Sequence, residues 1–174
     1  VLDLVAFDEA PFAAKLAGAE AAGLRFVSLA ELGDTDEVRC KLHALNEKTV
    51  LDIPGYEDRA SRPYEVFAKQ VFDASWFRAE GQIVALDGEM WIGLAAVGIF
   101  PETHSAYNMF TGVAPAWRGR GIAQALKLLG IRFARRDGAT HIRTNNDSEN
   151  APMLAINHTL GYQPEPGCYI MERA

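Results

Sequence analysis

The chain has 174 residues, of which 49% are hydrophobic and 23% are charged, values that are ordinary for one globular domain with a real core. It contains no apolar run long enough to span a bilayer, and no basic-then-apolar segment opens it, so we expect a cytoplasmic protein without a membrane partner. The two cysteines, Cys40 and Cys168, lie far apart, and we expect reduced, buried thiols in preference to a disulfide.

The net charge of −6 is unevenly distributed along the chain. Residues 117–143 contain seven basic residues and one acidic residue, so this window carries +6 and the remainder carries −12. A basic island fits an anionic cofactor, whereas the acidic remainder argues against a nucleic-acid partner and mildly favours cationic substrates. Arg132, Arg135 and Arg136 are interpreted as a solvated helix face. The four histidines have no metal-ligand spacing, so no metal site is expected.

Hydrophobic periodicity in the first half of the chain predicts helices over residues 8–22, 34–49 and 64–76. Either Asp34 or Thr35 caps the second helix, because short polar side chains accept hydrogen bonds from the first turn. A short strand is predicted over residues 25–29. Residues 53–63 contain Pro54, Gly55 and Pro63 and are predicted to form a loop.

The second half of the chain predicts a three-stranded meander followed by alternating helices and strands. The strands cover residues 82–86, 90–100 and 105–113, and Asp87-Gly88 is a hairpin turn between the first two. Helices follow over residues 119–137 and 150–160, ended by Gly138 and Gly161. Further strands are predicted at residues 141–144 and 169–172.

The segment between the third strand of the meander and the next helix has the composition of a phosphate-binding loop. Gly119 and Gly121 leave room for a ligand beside the first turn of the helix, where backbone N–H groups lack partners and the helix dipole is positive. Arg118 and Arg120 add cationic charge. The Rossmann pattern fails because Gln124 replaces its third glycine, and the Walker pattern fails because no Gly-Lys-Ser/Thr follows. An ordinary glycine-rich turn is the alternative interpretation.

Two motifs carry a resemblance to a known family. Arg118, Gly121 and Ala123 form Arg-x-x-Gly-x-Ala, which resembles the pyrophosphate-binding motif of GNAT-type N-acetyltransferases. The following helix is similar to the family's next conserved segment at Asn150, Met153, Asn157, Gly161 and Tyr162. The resemblance extends from residue 82 onward. It implies an α/β (α+β) fold in which a mixed, mostly antiparallel sheet is flanked by helices, with a V-shaped splay between two parallel strands that end near Val113 and Asn145.

The resemblance also implies acetyl-CoA as co-substrate. Its pantetheine arm would pair with backbone around Thr111 to Val113, and a strand N–H near Val113 would polarise the thioester carbonyl. Its pyrophosphate would be held by the loop and first helical turn, at Arg118, Gly119, Arg120, Gly121, Ile122, Ala123 and Gln124. Asn150 would hydrogen-bond the pantetheine side, although a simple helix cap explains this residue equally well.

The resemblance implies direct attack by a primary amine of a small molecule or peptide, but the usual catalytic side chains are replaced. Asn157 stands where many relatives have a tyrosine that protonates the departing thiolate. Tyr107 occupies about the place of the usual glutamate base, and water relayed to Glu102 or His104 is a substitute. Acidic residues of the loop at 53–62, such as Glu57 and Asp58, would attract the amine.

These replacements leave a non-catalytic alternative, in which the chain is a CoA-binding sensor or the structural half of a tandem protein. Residues 1–174 are predicted to form a single GNAT-like domain. Residues 1–32 resemble the lead-in to the second half of tandem GNAT proteins, and they are either a remnant of an adjoining domain or an extension that only packs. A homodimer formed through the final strand is a further expectation.

Overall fold

The fold is a six-stranded mixed sheet with helices on both faces, as seen in a computed structural model that describes residues 1–166. The strands are β1 (Leu2–Asp3), β2 (Leu24–Ser28), β3 (Gln82–Asp87), β4 (Met90–Phe100), β5 (Ser105–Val113) and β6 (His141–Arg143). Their spatial order is β1-β6-β5-β4-β3-β2, and every neighbouring pair is antiparallel except β5 and β6. This arrangement confirms the mixed, mostly antiparallel sheet predicted from the sequence.

Five α-helices accompany the sheet: α1 (Ala10–Ala21), α2 (Asp36–Val50), α3 (Tyr64–Val71), α4 (Ile122–Arg136) and α5 (Ala151–Thr159). Thr35 caps α2, since its hydroxyl accepts a hydrogen bond from the Val38 N–H at 3.3 Å. The predicted end of the third helix at residue 76 is wrong, because α3 stops at Val71. The chain leaves the helix so that the Trp76 carbonyl can accept a hydrogen bond from the Ile99 N–H, at 3.1 Å, beside the end of β4.

Two features on the N-terminal side of the fold differ from the sequence prediction. The edge strand β1 was not predicted, because two residues show no alternation to detect; Leu2 pairs with Ile142 of β6 and is buried. Cys40 was expected to be buried but is exposed. It lies two residues from Leu42, and residues two apart point to different sides of a helix. Cys168 and the strand predicted at residues 169–172 lie outside the described residues.

Helix α4 is the centre of the core and is buried on most of its surface. Leu126, Leu128 and Ile131 are almost completely inaccessible to solvent. With α1 and α5 it covers one face of the sheet, while α2 and α3 cover the other face. Only the end of α4 is the solvated arginine face that the sequence predicted: Arg135 and Arg136 are exposed, and the half-exposed Arg132 is ion-paired to Glu9 at 3.1 Å.

The sheet splits where the two parallel strands part. The β5–β6 ladder contains three residue pairs and ends at Tyr107 and Arg143, although β5 continues to Val113. On its other side, β5 stays paired with β4 but contains a bulge: Ala96 faces Phe110 and Val97 faces Asn108, which leaves Met109 as the extra residue and increases the local twist. The predicted V-shaped splay is therefore present, and the edge of β5 beyond Tyr107 that faces away from β4 has no strand beside it in residues 1–166.

No helix within residues 1–166 has both the length and the apolar character needed to cross a membrane.

Candidate active site

A cavity of about 420 Å³ opens where β5 and β6 part. Its walls are the end of β5, the loop before α4, the first turn of α5 and the end of α2. Nine of the residues that the sequence assigned to cofactor binding line it: Thr111, Val113, Arg118, Gly119, Gly121, Ile122, Ala123, Gln124 and Asn150. Arg120 and Asn157 belong to the same prediction but are not among the lining residues.

The loop before α4 requires glycine for its backbone and leaves open space above it. Gly119 and Gly121 have φ angles of +73° and +78°, and Gly121 is the N-cap of α4. These are left-handed conformations that side chains with a Cβ adopt only at a cost. Apart from its chain neighbours, a Cβ at either position would meet no atom of residues 1–166 within 4 Å. The two glycines therefore shape a loop beside the free N–H groups of a helix terminus, and a phosphate has room to approach.

Arg118 spans the mouth of this cavity. Its Nε donates to the Val113 carbonyl at 3.0 Å, and its Nη2 forms an ion pair with Asp52 at the end of α2. Both side chains are half-exposed. Arg120 is exposed, and its one side-chain hydrogen bond within the described residues is a long one, 3.4 Å, to the Ala116 carbonyl. Of the two arginines in the loop, Arg118 is thus the one held at the cavity.

Gln124 presents a buried donor that has no partner among residues 1–166. The side chain is 6% exposed, its Oε1 accepts a hydrogen bond from Lys15 Nζ at 2.6 Å, and its Nε2 is unsatisfied. An ammonium group can only donate, so Lys15 fixes which end of the amide carries the free N–H groups. A buried unsatisfied donor costs about 1–3 kcal/mol, which a ligand oxygen in the cavity would recover. Sequence reasoning missed Lys15, which comes from α1, 109 residues away.

The two asparagines assigned to α5 have different surroundings. Asn150 is the N-cap of the helix, and its Oδ1 accepts from the Met153 N–H at 3.3 Å, which confirms the cap interpretation. Asn157 is buried one turn from the end of the helix, and its Nδ2 donates to Asn146 Oδ1 at 2.6 Å. Asn157 therefore ties α5 to the segment that follows β6.

The candidate acid–base residues of β5 are distributed along the strand. Tyr107 is half-buried at the last pair of the β5–β6 ladder, next to the point where the strands part. Glu102 is exposed in the turn between β4 and β5, and His104 ends the same turn. The nine residues of β5, roughly 30 Å of extended chain, separate that turn from Val113. The structure thus brings Tyr107 to the splay and leaves Glu102 at the opposite end of the strand.

A buried lysine lies behind the splay. Lys127 of α4 is 3% exposed; its Nζ donates to Asn108 Oδ1 at 2.5 Å and lies 5.2 Å from the centroid of the Tyr162 ring. Burial lowers the pKa of Lys127 to about 7 and raises the pKa of Tyr162. The amide of Asn108 also donates to the carbonyls on both sides of the β5 bulge, Ala96 and Phe110. The sequence analysis counted Lys127 in the basic island around the cofactor, but its side chain is buried in the core, where it contacts Asn108.

A second cavity, of about 480 Å³, lies on the other face of the sheet. Helices α2 and α3, the loop between them, and strands β4 and β5 form its walls. Phe110 lines this cavity and the next residue of β5, Thr111, lines the first one. Glu57 and Asp58, which the sequence offered as residues that attract the amine, are exposed and outside the lining of this cavity, while the same loop contributes two arginines to it.

Residues 1–166 contain no group of three or more His, Cys, Asp or Glu side chains that could hold a metal ion.

Comparison with known proteins identifies the family to which this geometry corresponds. The model of the acetyltransferase (GNAT) family matches residues 50–162. The chain belongs to this family. Among curated GNAT relatives, the mycothiol acetyltransferase of Renibacterium salmoninarum is 29% identical over 102 residues, which cover 54% of this chain and 29% of the relative. That of Acidothermus cellulolyticus is 28% identical over 134 residues, covering 69% and 40%. The chain thus spans about a third of the length of the curated relatives it matches.

Solved structures share the fold at low sequence identity. The aminoglycoside N-acetyltransferase AAC(6')-Iy in complex with CoA has a TM-score of 0.64 and 14% identity, covering 87% of this chain and 95% of that one. The ribosomal-protein-S18-alanine N-acetyltransferase of Escherichia coli has a TM-score of 0.63 and 12% identity, covering 82% and 79%. At this level of identity the likeness shows a shared fold.

Proposed function

We propose that this GNAT domain transfers an acetyl group from acetyl-CoA to a primary amine of a small molecule, which attacks the thioester directly. The observation that carries the proposal is the cavity at the splay, where an open strand edge leads to a glycine loop at a helix N-terminus. Gln124 supports it independently, because this residue lines the cavity and its buried Nε2 donor has no partner among residues 1–166. A nucleotide-linked thioester offers an amide-bearing arm for the strand edge and phosphate oxygens for the loop.

Each part of the cavity has a distinct role in this proposal. The unpaired edge of β5 at Thr111 to Val113 would pair with the pantetheine amides, and the N–H groups that follow Gly119 and Gly121 would hold the pyrophosphate. Gln124, oriented by Lys15, would donate to a ligand oxygen at the first turn of α4. The basic window from residue 117 to 143 supplies a favourable potential for this anionic ligand.

The chemistry then needs the amine to approach β5 from the second cavity. The amine nitrogen attacks the carbonyl carbon, the C–S bond breaks, and the proton lost by the amine balances the one gained by the thiolate of CoA. A backbone N–H near Val113 would stabilise the oxyanion, and holding both reactants on one strand supplies the proximity effect. No carboxylate lines either cavity among residues 1–166 except Asp52, which is paired with Arg118. Water is therefore the proton carrier in this proposal.

The acceptor in this proposal is a small molecule. The second cavity, of about 480 Å³, has the size of an ordinary small-ligand site. The relatives and structural neighbours named after small molecules, mycothiol and aminoglycosides, point in the same direction.

Thermal unfolding with and without acetyl-CoA, beside NAD and ATP, tests the co-substrate. We expect acetyl-CoA and CoA alone to raise Tm, because a ligand that binds only the folded state stabilises it by mass action. Arg118→Glu should weaken acetyl-CoA by at least about tenfold, since it places a carboxylate at the phosphate loop. Unchanged affinity in this variant would show that the phosphate loop is wrongly assigned. Stabilisation without thiol release for any amine would favour the CoA-binding alternative.

A further inference from the structure

The second cavity has a positively charged wall, and from it we infer that the acceptor is an amine that carries a carboxylate on an apolar body. This inference rests on the proposed function, since it assumes that the second cavity receives the amine. The charge is local and does not follow from the composition, because the chain as a whole carries −6. It is also opposite in sign to the cationic acceptor that the acidic remainder of the chain favoured.

The positive charge arises because two guanidinium groups share one carboxylate. Arg59 Nη1 and Arg62 Nη2 lie 3.7 and 3.5 Å from the same oxygen, Glu47 Oε1. Both arginines line the cavity, whereas Glu47 lies behind them. The arginine side chains are 25% and 22% exposed, so solvent screens them only in part. Within residues 1–166, one of the two charges therefore lacks a counter-ion, and a partly buried charge of this kind favours an anionic ligand.

The two arginines differ in how they are held. Arg62 is fixed, since it donates to Asn46 Oδ1 at 3.0 Å and to Gln70 Oε1 at 2.9 Å, while its backbone N–H donates to Glu47 Oε2 at 2.7 Å. Arg59 makes only the 3.7 Å ion pair with Glu47 and a 6.0 Å approach to the Tyr56 ring. Its guanidinium donors thus have no hydrogen-bond acceptor among residues 1–166. A planar fork of this kind matches a carboxylate in a bidentate arrangement.

The rest of the wall defines the body of the acceptor. It is mainly apolar and aromatic, and its large side chains are Leu42, Phe67, Trp76, Leu94, Met109 and Phe110. Burying an apolar group against such a surface stabilises the complex in proportion to the area removed from water. Because Phe110 belongs to β5, an acceptor whose body lies here has its amine next to the strand that faces the thioester. An aromatic or long aliphatic amino acid has these three features together.

Acetylation of a matched pair of amines tests the carboxylate. L-Phenylalanine and L-phenylalaninamide have the same body and the same amine position, and CoA thiol release reports turnover of either. We expect kcat/KM for the amino acid to exceed that for the amide by at least about tenfold, the ordinary value of a charge-assisted bidentate contact. The amide has the less basic amine and hence more free base near neutral pH, so amine basicity would produce the opposite preference.

Binding without turnover separates this inference from the proposed activity. 3-Phenylpropionate and 3-phenylpropanamide lack the amine, and calorimetry with CoA present or absent measures their affinity directly. We expect the carboxylate to bind at least about tenfold tighter, and Arg59→Gln to reduce that ratio to about threefold or less. Glu47→Gln, which keeps an acceptor for the Arg62 N–H, should increase the ratio because it removes the competing anion. Lys69→Gln on α3 is the matched control, as it removes an exposed charge outside the lining.

Each outcome decides one of the two questions. Equal binding of the carboxylate and the amide, tighter binding of the amide, or no binding of either overturns the carboxylate inference. The inference is also overturned if Arg59→Gln leaves the preference for the carboxylate over the amide unchanged. If acetyl-CoA binds and uncharged amines are the better acceptors, the inference is wrong and the acetyltransferase proposal stands. If acetyl-CoA gives no Tm shift while 3-phenylpropionate binds in an Arg59-dependent manner, the acetyltransferase proposal fails and the carboxylate site stands.

Discussion

Lys127 Nζ and Asn108 Oδ1 are 2.5 Å apart, and this contact joins the central helix to the strand that separates the two cavities. Asn108 in turn contacts both strands at the bulge: its Nδ2 donates to the carbonyls of Ala96 in β4 and Phe110 in β5, and its Oδ1 accepts from the Thr111 hydroxyl. The bulge of β5 is thus held by a buried side chain that lines neither cavity. Burial lowers the pKa of this lysine to about 7, so near neutral pH the contact changes from an ammonium donor to a neutral amine donor.

This burial predicts a specific pH dependence of stability. In the unfolded chain the lysine keeps its ordinary pKa near 10.4, so between about pH 7 and pH 10 the unfolded state binds a proton that the folded state lacks. The wild-type folding equilibrium constant should therefore rise with pH in that window, by up to about tenfold per unit, and level off below pH 7. Lys127→Met should lack this rise. Urea unfolding of both proteins between pH 7 and 9.5 measures the difference.

Lys48→Met on the exposed face of α2 is the control for this experiment, and it should follow the wild-type curve. Tyr162, whose ring faces the ammonium, does not contribute because burial raises its pKa. Parallel curves for wild type and Lys127→Met would mean that Lys127 stays charged in the folded state throughout.

The contact between Lys15 and Gln124 predicts that a residue of α1 contributes to acetyl-CoA affinity. Gln124→Leu removes the free donor and should weaken acetyl-CoA by about five- to tenfold, the value of one hydrogen bond. Lys15→Met should weaken it by less, because the amide stays in place but loses its fixed orientation. Lys69→Met serves as the control, and calorimetric titration with acetyl-CoA is the measurement. Full affinity in Gln124→Leu would contradict the proposed donor role.

The left-handed glycines of the phosphate loop can be compared with one outside it. Gly121→Ala and Gly88→Ala each place a Cβ at positive φ, +78° and +58°, and apart from chain neighbours no atom of residues 1–166 lies within 4 Å of it. Each should lower the free energy of unfolding by about 1–2 kcal/mol through backbone strain alone. Only Gly121→Ala should also weaken acetyl-CoA, since Gly88 is in the hairpin between β3 and β4. Thermal unfolding with and without the ligand measures both effects, and equal ligand shifts in the two variants would count against the loop.

Two other glycines predict opposite effects on stability. A Cβ at Gly81 would lie 2.5 Å from the Val97 carbonyl oxygen and 2.6 Å from the Phe133 ring, and neither can move without disturbing β4 or α4. Gly81→Ala should therefore cost about 2–3 kcal/mol or more. Gly18 is exposed within α1 and has no neighbour within 4 Å. Gly18→Ala should add about 0.5–1 kcal/mol through helix propensity. Chemical denaturation of both variants measures the change in the free energy of unfolding, which should be negative for Gly81→Ala and positive for Gly18→Ala. A destabilised Gly18→Ala would contradict the helix assignment.

Local signals predicted the meander and the loop because their determinants are adjacent in sequence. Strands β4 and β5 have the bounds that the sequence indicated, since Gly88 and Pro115 lie beside their ends. The hairpin turn itself is Gly88-Glu89 and not the predicted Asp87-Gly88, because Asp87 still pairs with Met90. The cap was one of the two interpretations of Asn150 for the same reason. Contacts between distant segments left no such signal: Lys15 meets Gln124 and Lys127 meets Asn108 only because of the tertiary fold. The sequence likewise did not predict the positive charge of the second cavity. Glu57 and Asp58 lie beside Arg59 in sequence, but they face solvent whereas Arg59 lines the cavity.

Because the parallel ladder of β5 and β6 is short, one edge of β5 beyond Tyr107 is open although β5 lies in the middle of the sheet. Thr144 donates to the Asn108 carbonyl and Arg118 to the Val113 carbonyl at its two ends. Thr111, Gly112 and Val113 line the first cavity, and their edge-facing amides have no partner strand within residues 1–166. These amides should exchange with deuterium faster than those that β5 shares with β4, and they should become protected when a ligand extends the ladder. In the proposed function this gap would accept a non-peptide strand, and the isotope pattern along β5 would show where that strand begins and ends.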